Sequence, residues 1–281
     1  MVLESINVKW LKRRPLLAFF IGAIYTLIGF IVAQYFFHDS LSLPMLFLTT
    51  LLITPSTIKL LSIEEKRERK EGLHHFFRNH RDVFEICVFL FLGIFFGYLL
   101  LSFLLSPVNA QMMLSYQLNF LEHQEGLSNQ LLTTFFEEPP QPTTEQFLNL
   151  LGIDIKVALV FFVLSFFYGA GAIFLIILNA SIFATFTGYL ITHLSTGTTH
   201  VFLILGIFFI HVLPEISGFL LAAIAGGVVS KALIQEKFLS QKFKNVVKDA
   251  ALLLALSCVL IFLAVYLETF VTTTLFYNAF R

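Results

Sequence analysis

The chain has 281 residues, 57% of them hydrophobic and only 13% charged, with 35 phenylalanines. That balance excludes a water-soluble globular domain and defines a polytopic membrane protein. Eighteen Lys and Arg offset eighteen Asp and Glu, so overall charge gives no case for nucleic-acid binding, and neither Cys87 nor Cys258 has a Cys or His neighbour at metal-ligand spacing.

Hydropathy predicts an all-α transmembrane bundle of about six or seven spans forming a single membrane domain over residues 1–281. A basic front (Lys9, Lys12, Arg13, Arg14) leads into the first apolar run, 16–37. This run is too long for a signal-peptide core and ends in bulky residues, so it reads as an uncleaved span. The run 43–61 carries Pro44 and Pro55 and reads as a bent second span. Residues 62–85 begin with mixed charges, then place Leu73, Phe76, Phe77, His80 and Phe84 at helical spacing. An amphipathic segment at the headgroups fits that pattern, as does a connector with an apolar seam against the bundle.

The third span, 86–105, holds Gly93 and Gly97 at a spacing that permits close helix approach. The loop 107–152 follows; its part 113–136 sets Leu114, Leu118, Leu121, Leu131 and Phe135 among polar residues and either lies on the leaflet or caps the bundle. Residues 153–194 are almost unbroken hydrophobicity, about twice the need of one helix. Gly169 and Gly171 supply a helix break there, giving spans at 148–168 and 172–194; a re-entrant hairpin at the same place would leave fewer crossings. Spans at 200–229 and 250–272 complete the set.

Basic residues set the orientation. Of the eighteen, four precede the first span, seven lie in 59–81 and five in 231–248, while 107–152 contains none. By the positive-inside rule, segments 1–15, 62–85 and 230–249 are cytoplasmic and 107–152 is outside. Three crossings between 153 and 230 then fit the lengths, which puts the C-terminus outside.

One place breaks the pattern of charges kept near span ends. His211 and Glu215 lie in the middle of the apolar run 200–229, four residues apart and therefore on one helix face. Counting from His200 at ~1.5 Å per residue, His211 is roughly 16 Å deep in a layer of about 30 Å. A carboxylate there costs at least ~2.5–3.5 kcal/mol on insertion scales, so the fold must stabilise it. Between them Pro214 removes a donor, frees the carbonyl of Ile210, and predicts a break or bend. Three readings stand: a hydrogen-bonded pair, with Asn179, that fixes helix packing; a proton, ion or lipid-headgroup site; and the metal centre of a membrane protease. The last lacks an HExxH motif or a second His at the right spacing.

The residues from His211 through Glu215, followed by Ala222-Ala223-Ile224-Ala225-Gly226-Gly227, resemble the stage II sporulation protein M (SpoIIM) family. Val212 stands where that family tends to have glycine. Upstream, Gly169-Ala170-Gly171 and then Asn179-Ala180 are similar to the family's Gly-rich turn and its Asn before a small residue. Trp10-Leu11, Arg14-Pro15, Ala18-Phe19-Phe20 and Glu64-Glu65 resemble the archaeal branch. The resemblance implies a multi-pass protein without catalytic residues of its own that anchors peptidoglycan-degrading partners in endospore formers. The expectation is a non-enzymatic anchor or scaffold in the cell membrane, with the lipid bilayer and protein partners or further copies of itself as its contacts and no cofactor. The alternative is a transporter or channel-like protein using His211 and Glu215.

Overall fold

Runs of apolar residues inside a bilayer must satisfy their backbone internally, and here every long run does so as a helix. A computed structural model describes residues 11, 14–38, 40–71, 76–124, 141–167, 169–237 and 240–281, and no strand occurs among them. In chain order the helices are α1 (Leu16–Phe36), α2 (Ser42–Glu71), α3 (Phe76–Leu104), α4 (Pro107–Met113) and α5 (Ser115–Gln124). Then come α6 (Thr144–Phe167), α7 (Gly169–Leu194), α8 (Thr198–Gln235) and α9 (Gln241–Tyr266). A π-helical stretch, Leu267–Thr272, joins α9 to α10 (Thr273–Phe280).

Six helices among the described residues are long and apolar enough to cross a membrane: α1, α3, α6, α7, α8 and the joined α9–α10. The run 43–61 is the front of α2, which continues through Pro55 to Glu71 and is not one of those six. The 62–85 segment is therefore divided between two long helices, the end of α2 and the start of α3, rather than forming a helix of its own. Pro214 does not end its helix: α8 runs unbroken from Thr198 to Gln235, because proline removes one donor while neighbouring helices hold the remaining turns. Gly169 and Gly171 lie in the first turn of α7, at the expected boundary between the spans 148–168 and 172–194.

α8 is the central element. Every residue from 218 to 228 is buried, which over three turns means that all its faces are covered. It packs most extensively on α9 and α6, and also on α7, α2 and α3, while α1 lies chiefly on α3. Glycine sets the two closest approaches. A β-carbon at Gly226 would overlap the carbonyl of Phe162 on α6, and one at Gly93 would overlap the carbonyl of Phe19 on α1. Gly97 likewise faces Thr26 of α1, so the Gly93/Gly97 pair is used within the chain.

Between α3 and α6 the chain puts a plug on the bundle. Gln117 of α5 is fully buried; its Oε1 accepts from Ser42 Oγ of α2 at 2.7 Å, and its Nε2 donates to Ser181 Oγ of α7 at 2.9 Å. Met113, Leu114 and Leu121 are buried beside it. The front of the 113–136 segment therefore caps the helices; residues 125–136, with Leu131 and Phe135, fall outside the described residues.

Candidate functional site

His211 and Glu215 project from one face of α8, 7% and 8% exposed. The His211 ring meets the Phe208 ring edge-on at 5.4 Å, and Val212, standing at the family's glycine position, is completely buried in the core. His211 Nδ1 lies 3.2 Å from Thr272 Oγ1, a hydrogen bond that joins α8 to the π-helical stretch following α9. The pairing leaves the tautomer open, since the hydroxyl can donate or accept.

Thr272 owes its position to the π-helical stretch. A π turn inserts a residue into the helical repeat and rotates the following side chains away from their α-helical bearing. Thr269 and Thr272, both in that stretch, are buried, and Thr273 Oγ1 donates to the Glu268 carbonyl five residues back at 2.8 Å. Hydrophobic periodicity carries no sign of such a turn. The one sequence signal is the Thr-Thr-Thr run at 272–274, unusual inside an apolar helix.

Asn179 takes a different part from the one expected. Its Nδ2 donates to the Leu175 carbonyl at 2.9 Å, one turn back on α7, and its side chain is half-buried. The bond between helices in this motif comes instead from its near neighbour Ser181, through Gln117. Other intramembrane polar groups bond locally: Ser217 Oγ donates to Leu213 O, Gln34 Nε2 pairs with His38 Nδ1 while its buried Oε1 has no partner, and His193 Nδ1 pairs with Tyr189 O.

A metal centre would need at least three convergent ligands, and no group of three His, Cys, Asp or Glu occurs among the described residues. What the arrangement can do is couple two helices through a buried imidazole and hold one buried carboxyl group a turn away on the same helix face. This is a polar helix–helix junction in an integral membrane protein.

The family model for stage II sporulation protein M (SpoIIM) matches residues 86–273. The chain belongs to that family, and the matched region runs from α3 to the start of α10, enclosing His211, Glu215 and Thr272. No curated protein and no solved structure matches the chain.

Proposed function

We propose that the protein is a non-enzymatic anchor or scaffold for partner proteins in the cell membrane, belonging to the archaeal-type branch of its family and serving envelope or membrane remodelling. The observation that carries this reading is the destination of the buried polar pair: the His211 bond goes to Thr272 and joins two helices of the same chain. Its neighbours are packed hard, with glycine-mediated contact between α8 and α6 on one side and α1 and α3 on the other. A rigid apolar body of this kind suits a platform. Its recognition surface would be the charged extension of α2, residues 62–71, about 15 Å of helix at 1.5 Å per residue beyond the apolar run 43–61. With the N-terminus cytoplasmic and the C-terminus outside, that arm lies in the cytoplasm.

The test is photo-crosslinking in native membranes from a probe placed at Lys66. Discrete adducts, with a specific protein or with a second copy of the chain, are expected. A transport reading has one observation in its favour, the acidic Glu215 in the apolar interior. It would displace the scaffold if proteoliposomes showed a proton or ion flux abolished by Glu215→Gln, with no adducts from the arm.

A further inference from the structure

A second buried acid lies at the opposite end of α9 from Thr272. Asp249 is fully buried and immediately precedes the apolar run 250–272. It falls on the stripe of Phe243, Val246, Leu253 and Ser257 that α9 turns inward. Neither of its carboxylate oxygens has a hydrogen-bond partner among the described residues. Burial favours its neutral form, while the imidazole of His80, at the start of α3 and itself 4% exposed, acts on it in the opposite sense.

Most of the other charged side chains described at this end are exposed. Lys59 on α2, Arg81 on α3, and Lys244 and Lys248 on α9 are exposed, and Arg81 is paired with Glu85 at 2.7 Å; Asp82 and Glu85 are half-buried. On α6 the ionisable side chains are Glu145, Asp154 and Lys156, the last eleven residues before the helix ends at Phe167. The described ones on α8, His200, His211 and Glu215, lie twenty or more residues before its end at Gln235. Cys87 of α3 is buried two turns further in. It lines a cavity of about 30 Å³ with Thr57, Val83 and Ser165, room for a single water, and the Ser165 hydroxyl has no partner.

An ionised carboxylate with no donor in dry packing is far more costly than the neutral acid. We propose that Asp249 is a proton-binding site, holding one proton in the folded chain at neutral pH. Asp249 sits on the inward stripe of α9, so a charge left there works against the packing of that helix.

The sign follows from linkage. Well above the ordinary carboxylate value of about 4, an unfolded chain holds no proton on this group, whereas the folded chain keeps one. Each further pH unit therefore shifts the folding equilibrium about tenfold toward the unfolded state.

The full chain in detergent micelles, weakly buffered near pH 8, would be unfolded with sodium dodecyl sulfate while an indicator dye counts protons. The wild type is expected to release one more proton per chain than Asp249→Asn; equal release overturns the site. Should that variant fail to fold, infrared spectra of the wild type and of Glu215→Gln decide the matter. A protonated-carboxyl band that survives in Glu215→Gln at the same pH supports the site, and its absence overturns it.

Discussion

Most hydroxyls in this bundle bond to their own helix. Thr26, Thr49, Thr50, Thr185 and Thr187 each donate to the carbonyl four residues back, which satisfies them wherever the helix is placed. The Thr272 hydroxyl instead meets His211 on another helix, and Thr269 nearby has a buried hydroxyl with no partner. These two threonines make a matched pair of tests. Thr272→Val keeps shape but strands the imidazole nitrogen, at a cost of about 1–3 kcal/mol, and should lower the melting temperature in detergent. Thr269→Val strands nothing and should leave the melting temperature unchanged or raise it. Equal losses at both positions would mean that shape, not the His211 bond, governs this junction. At Glu215 the same logic separates Gln from Leu. Glu215→Gln keeps hydrogen-bonding capacity and mimics the neutral acid, whereas Glu215→Leu leaves its surroundings unmatched, again by about 1–3 kcal/mol. Glu215→Leu should therefore melt well below Glu215→Gln; a Leu variant as stable as wild type would remove the packing role.

Helices in this protein meet where glycine lets backbones touch. At Gly93 the carbonyl of Phe19 occupies the space a β-carbon would need, while at Gly206 on α8 that space is open. Gly93→Ala should thus part α1 from α3 and destabilise by about 1–3 kcal/mol, as overpacking does. Gly206→Ala should be neutral or stabilising by a few tenths, by its better helix propensity. The check is the difference between their melting temperatures, and a harmless Gly93→Ala would show that α1 docks loosely. Gly93 and Gly97 were legible as a close-approach motif, because spacing alone carries that information. Their partner was not, since nothing in one helix names the helix it faces. Runs at 86–105, 148–168 and 200–229 were legible from hydropathy, and each lies largely within α3, α6 and α8. His211 and Glu215 stood out because charge inside an apolar run is costly. Asp249 did not, because it borders Lys248 and passes for a surface residue. Its i, i+3/i+4 spacing with Val246, Leu253 and Ser257 was the available signal. The Ser42–Gln117–Ser181 chain joins residues 64 and 75 positions apart and has no local signature at all.

At the scale of the whole molecule, the parity of crossings turns on α2. It packs on α1, α3, α7, α8 and α9, and its apolar front buries Met45, Leu46 and Ile53 while exposing Leu43, Phe47 and Leu51 on another face. If that front crosses, the six other long helices make seven crossings, and a cytoplasmic N-terminus requires the C-terminus to be outside. The charge distribution agrees, since basic residues are absent from 107–152 and dense in 59–81 and 231–248. Single-cysteine variants test this directly, in a background from which buried Cys87 and exposed Cys258 have been removed. Tyr116→Cys and Thr143→Cys should react with a membrane-impermeant thiol reagent in intact cells, while Ser62→Cys and Ser240→Cys should react only after lysis. Asn278→Cys, near the end of α10, carries the parity. Labelling before lysis is the expected result, and protection there with Ser240→Cys also protected would mean that an apolar run in the chain enters the bilayer without crossing it.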